Sequence, residues 1–176
     1  MGRMRKLVLV ALVLVLLAPV SVRAHDHEPP TVRLSTGDVG QKGAHFASCW
    51  WRAIGEPNYY YFICIDSIFA WPRAKQAETG ATASVRFNKP APPEEVVLDR
   101  WRRVDPDHGI PRGRARSVPF TLTPVVTDGV TTAWEATFTL PQRAGHMYLS
   151  PFAVWPDEEG TEQRQDASWL LHLRLR

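Results

Sequence analysis

Three sets of side chains in this chain have the types and spacing to do chemistry. The first is His25-Asp-His27. If an export signal ends at Ala24, the new α-amine, two backbone amides and the His27 imidazole form a four-nitrogen set of the square-planar kind that Cu(II) and Ni(II) favour. His25 adds to it or competes, which makes copper the one cofactor suggested; the alternative is a polar arm that happens to start with two histidines. The second set is Arg100, Arg102, Arg103, Arg112, Arg114 and Arg116. Brought together, these guanidinium groups suit the phosphate or sulfate of a wall polymer, a lipid headgroup or a glycan. Left apart, they are a charged strand edge that discourages further pairing. The third set is aromatic: Trp50, Trp51, Tyr59, Tyr60 and Tyr61. Neighbours in a strand point to opposite faces, so one of each pair, Trp51 and Tyr60, is expected at the surface, where it suits a sugar face or a protein partner. The alternative is that these rings cover the other sheet or the Trp71 loop.

Recognised enzyme motifs are absent: there is no Gly-x-Ser-x-Gly, His-Glu-x-x-His, phosphate-cradling glycine loop or Cys-x-x-Cys. Asp66, His108, His146 and Asp166 are the residues a hydrolase would use if they converged, but such side chains are mostly solvated in globular domains. Three readings follow. The favoured one is an exported, non-catalytic binding domain at the cell envelope, partnered by a polymer, glycan or protein. Copper handling through His25 and His27 comes second, and a hydrolase using Asp66, Asp166 or His146 third.

The elements that must position these residues begin with a leader. Arg3, Arg5 and Lys6 precede the apolar run Leu7 to Val20, and Val22-Arg23-Ala24 offers small residues for cleavage, so 1–24 reads as a secretory signal. The run is shorter than the roughly 20 residues of a spanning helix. The leader carries four of the 21 basic residues and no acid, leaving 17 basic against 18 acidic. That balance gives no support to a nucleic-acid partner. Residues 25–30, with Pro29 and Pro30, read as an extended arm, and 31–176 as a single domain. Two cysteines in an exported chain predict a disulfide. Cys49 and Cys64 flank Gly55 and Pro57, so they are placed to staple a hairpin.

Further along, period-two alternation dominates. Thr31 to Leu34, His45 to Trp51, Ala81 to Phe87, Val96 to Val104 and His146 to Trp155 read as strands. Ser35 to Lys42 reads as a loop, and Ala70 to Glu78 is open between a short helix and a loop. Asp128-Gly129 predicts a tight hairpin between Ser117–Thr127 and Val130–Leu140. In the last strand Ala167, Trp169, Leu171, Leu173 and Leu175 point inward. Trp101, Trp134, Trp155 and Trp169 are expected in the core. The pattern predicts an all-β, immunoglobulin-like sandwich of about eight or nine strands with one disulfide; a β-barrel is the runner-up.

Cys49-Trp50, Cys64 followed by Asp66, an aromatic strand ending in Trp155, and Asp166-Ala-Ser-Trp169 before the terminal strand together resemble a group of uncharacterised secreted or lipoprotein β-sandwich domains of Gram-positive bacteria. The resemblance spans Cys49 to Arg176. It implies the sandwich fold and an extracellular setting, and it implies no activity.

Overall fold

The computed structural model describes residues 28–53, 60–156 and 164–176, without the side chains of 51–53 and 60–62. The expected leader, His25 and His27 of the arm, the 54–59 turn and the side chains of Trp51 and Tyr60 therefore lie outside the described residues.

The described chain is all-β, with no helix, and forms two sheets. The smaller sheet runs in the order β2 (Val39–Lys42), β1 (Val32–Thr36), β6 (Thr82–Phe87), β10 (Val130–Thr139), β9 (Thr121–Thr127). The larger runs β4 (Tyr60–Asp66), β3 (Ala44–Ala53), β12 (Gln165–Leu175), β11 (Gly145–Trp155), β7 (Glu95–Trp101), β8 (Arg116–Ser117). Pairing is antiparallel except where β5 (Lys75–Ala77) joins β12 in parallel. Two open sheets with apolar inner faces make a sandwich-like arrangement, not a closed barrel.

Alternation decides which residues fill it. Val32 and Leu34 of β1, Ala83, Val85 and Phe87 of β6, and Ala136 and Phe138 of β10 are buried on the smaller sheet. Met147, Leu149, Ala153 and Trp155 of β11 oppose them, with Ala167, Trp169, Leu171, Leu173 and Leu175 of β12. The centre is aromatic. Trp155 meets Trp50 at 5.6 Å, Phe87 at 6.2 Å and Trp169 at 6.4 Å between ring centroids, each edge to face. Its indole N–H donates to the Ala91 carbonyl at 3.2 Å, so the buried ring carries no unsatisfied donor.

Three expectations are corrected, and the reading left open at 70–78 is decided. Twelve strands form among the described residues, more than the expected eight or nine, since the short β2, β5 and β8 have too little apolar alternation to be read as strands. Residues 35–42 are a β1–β2 hairpin turning at Gly37, which has φ of 52°, and not a loop. Residues 70–78 contain no helix: 67–74 is irregular, and β5 takes over the β12 edge at Leu173–Leu175, beyond the β3 pairing at Asp166–Leu170. Trp101 and Trp134 are half-buried. Trp101 is out of phase with the buried Leu98 and pairs with Tyr148 on the outer face, while Trp134 directs its N–H to Pro90 O at 3.1 Å. The Asp128-Gly129 hairpin forms as expected, with φ of 51° and 78°.

Cys49 and Cys64 stand directly opposite each other on β3 and β4 and are bonded, with Cα atoms 4.0 Å apart. The bridge staples the last pair of the larger sheet and does not cross the core. Replacing both cysteines by serine is expected to lower stability by about 2–5 kcal/mol, read as a lower urea midpoint with a slope that is equal or steeper, because the uncrosslinked denatured chain exposes more surface. A midpoint that stays put would show that β4 is held without the bridge.

Candidate functional site

The outer face of the larger sheet carries the site. On β11 the buried Met147 and Leu149 force Tyr148 outward, and on β12 Leu171 and Leu173 do the same to His172. These two residues are cross-strand partners, and their rings stack at 4.2 Å. Trp71, from the irregular 67–74 segment, meets Tyr148 edge to face at 5.1 Å. Phe69 stacks on Phe46 at 4.3 Å, tying that segment to β3.

A second loop closes the site. Val104 bridges Pro111, and the Arg112 N–H donates to Arg103 O at 2.9 Å, making a small hairpin of 102–112. Asp105 organises its tip: one carboxylate oxygen accepts from the backbone N–H groups of Asp107 and His108, both at 3.0 Å, and the other pairs with Arg112. The Arg112 guanidinium, followed by those amides, holds Asp105 well below the usual carboxylate range. The tip is pinned to the 67–74 segment at Gly109, whose carbonyl accepts from the Trp71 indole N–H at 2.7 Å. Gly109 has φ of 68°, and an added Cβ there would collide with the Phe69 carbonyl oxygen.

Between the loops lies a groove of about 960 Å³, floored by Tyr148 and His172 and walled by Phe69, Trp71, Val104 and Ile110. Beside it is a cleft of about 440 Å³ lined by Arg102, Arg103, Arg112 and His146. Val104 and Tyr148 border both. The two histidines also link them: His146 Nδ1 lies 2.9 Å from His172 Nε2, while His172 Nδ1 lies 3.1 Å from Pro72 O. A carbonyl only accepts, so His172 carries its proton on Nδ1 and His146 Nδ1 must donate to His172 Nε2. Burial lowers the His172 pKa; the Pro72 carbonyl opposes this and His146 adds to it, so a neutral His172 is favoured.

Of the basic set, the fold brings Arg102, Arg103 and Arg112 into the cleft. Arg100 and Arg116 face each other across β7 and β8, where burial first, then Arg116 and Arg102, weigh on the Arg100 charge. Arg114 is exposed in the intervening loop and does not line the cleft. The hydrolase residues do not converge. Asp166 pairs with Val154 and His146 with Arg174, eight positions along the same ladder, or about 26 Å at strand rise. Asp66 lies near Asp166 beside the disulfide, and His108 sits on the 102–112 tip, where it lines the groove. Among the described residues no three His, Cys, Asp or Glu side chains are grouped to hold a metal.

Trp71, Tyr148 and His172 were not singled out from the sequence as site residues. Alternation already turns Tyr148 and His172 outward, but which residues meet across strands, and where an irregular segment crosses them, is not written in the periodicity. Comparison with protein-family models, curated proteins and solved structures found no match to this chain.

Two predictions follow from this geometry. Gly109→Ala is expected to cost about 1–3 kcal/mol for the left-handed backbone alone and to move the amide resonances of 67–74 as the loop tip lifts; an unchanged melting temperature and spectrum would contradict the pinning. Burial raises the Asp166 carboxyl, the Cys49 N–H pulls it down and Asp66 pushes it up again. An acid whose folded pKa lies above its unfolded value holds its proton longer in the native state, so its ionisation weighs against folding at neutral pH. Asp166→Asn is therefore expected to raise the melting temperature at pH 7. The gain should shrink as pH falls through the raised pKa and vanish below the ordinary 3.8. A loss of stability that is the same at both pH values would contradict it.

Proposed function

We propose that this chain is an exported, non-catalytic binding domain of the cell envelope that takes its ligand in the groove between the 67–74 segment and the 102–112 hairpin. The observation that carries this is the groove's rim. Ile68 and Ile110, 82% and 52% exposed, are two of the four large apolar side chains left open to solvent among the described residues, and both line this groove. Apolar side chains held open beside stacked aromatic rings are the usual mark of an interaction site. Pinning by Gly109 and the Trp71 hydrogen bond supports a preformed groove, which lowers the cost of binding.

The disulfide supports an oxidising compartment, in keeping with the secreted sandwich domains that the Cys-Trp and Cys-x-Asp pattern resembles. No helix among the described residues is long and apolar enough to cross a membrane. The separation of His146 from Asp66 and Asp166 supports the non-catalytic choice, since general acid–base work needs its groups within hydrogen-bond reach of one substrate. A polymer, glycan or protein of the envelope is the partner class that goes with this reading.

The test is protein-observed NMR with a fragment library, run beside ester, glycoside and phosphoester turnover assays. Fragment hits are expected to move the amides of 68–74, 104–110, Tyr148 and His172, with no substrate converted. Hits gathered elsewhere, or turnover that survives purification and tracks this protein, would overturn the reading.

A further inference from the structure

The groove and the arginine cleft adjoin, and their chemistries differ. We propose that they form one bipartite site for an amphiphilic anion taken up as a single molecule: its apolar body lies along Trp71 and Ile110, and its phosphate, sulfate or carboxylate sits between Arg102 and Arg103. This rests on the binding-domain reading of the groove and puts a small amphiphile in place of its polymer, glycan or protein partner.

Three observations carry it. First, Tyr148 and Val104 border both cavities, so a ligand passing from one to the other crosses only their shared wall. Second, the cleft is cationic without an acid in its lining. Arg112 is matched by Asp105, whereas no described acidic side chain pairs with Arg102 or Arg103, so two guanidinium groups are left for an anion. Third, although Arg73, Asp105 and Asp107 also line the groove, it is rimmed by Ile68 and Ile110 and floored by stacked rings, a surface that suits a chain or flat ring system. A free inorganic anion would leave the groove empty, and a neutral lipid would leave the guanidinium pair unmatched. His146, at the cleft wall, donates through Nδ1 to His172, so recognition of the anionic head rests on Arg102 and Arg103.

The experiment is calorimetric titration of the intact mature protein with decyl phosphate below its micellar concentration, with inorganic phosphate as the head alone and decanol as the body alone. Decyl phosphate is expected to bind roughly tenfold or more tightly than either part, the gain that charge-assisted hydrogen bonds bring. Arg102→Gln with Arg103→Gln should remove that gain and leave decanol binding unchanged. Ile68→Ser with Ile110→Ser, both surface changes, should weaken decyl phosphate and decanol alike. If decyl phosphate binds no better than decanol, or the double arginine variant binds it as the wild type does, the bipartite site is wrong even though a groove that binds decanol still supports a binding domain. A fourth arm uses anionic phosphatidylglycerol vesicles: binding to vesicles without binding to the monomer would overturn uptake of single molecules in favour of a membrane surface.

Discussion

Everything in this domain hangs on the packing of four rings. Trp155 lies at the centre, with Trp50 and Trp169 beside it on the same sheet and Phe87 facing it from the other. Phe87 also meets Trp169 edge to face at 5.7 Å. Each such contact contributes about 0.5–1.5 kcal/mol beyond the area it buries. More important is what the cluster fixes. A one-residue slip of β11 or β12 would turn Trp155 or Trp169 out to solvent, so the register of the larger sheet is set by these rings. The Ala91 carbonyl, in the proline-rich segment after β6, meets the Trp155 N–H and brings that connection over the core.

That register has a consequence on the opposite side. With Met147, Leu149 and Leu171 held inward, Tyr148 and His172 must face out, side by side. They form a flat aromatic floor on which the 67–74 segment rests through Trp71 and the Pro72 carbonyl. The 102–112 hairpin then docks on that segment through Gly109. The candidate site is thus a layer laid on the sheet, positioned by the core without sharing any of its side chains. Its two cavities divide at Tyr148, with Arg102, Arg103 and Arg112 on one side and the Ile68 and Ile110 rim on the other.

Much of the fold was legible from residue order. Alternation in β6, β10 and β12, the Asp128-Gly129 turn and the Cys49–Cys64 staple are local signals, each carried within a few residues. The short β2, β5 and β8 were not legible, because they are held by pairing to a neighbour and not by an apolar face. Trp134 stands beside the buried Phe87 but turns its N–H to Pro90 O, because alternation gives the face of a strand and not how completely a side chain on it is covered. For the site, three of the six arginines meet in one cleft, which depends on how the 102–112 hairpin closes over β11. Trp71, lying in an irregular segment, has no periodicity to betray its role. His25, His27, Trp51 and Tyr60 belong to parts of the chain whose side chains lie outside the described residues.

The central claim is that one ligand spans the aromatic groove and the arginine cleft across Tyr148. A crystal structure of the protein with decyl phosphate tests it most directly. The account predicts the alkyl chain along Trp71 and Ile110 and the phosphate within about 3 Å of the Arg102 and Arg103 guanidinium nitrogens, the distance of a charge-assisted hydrogen bond. A phosphate held in the cleft with its chain in solvent, or a ligand seated anywhere else on the domain, would contradict it.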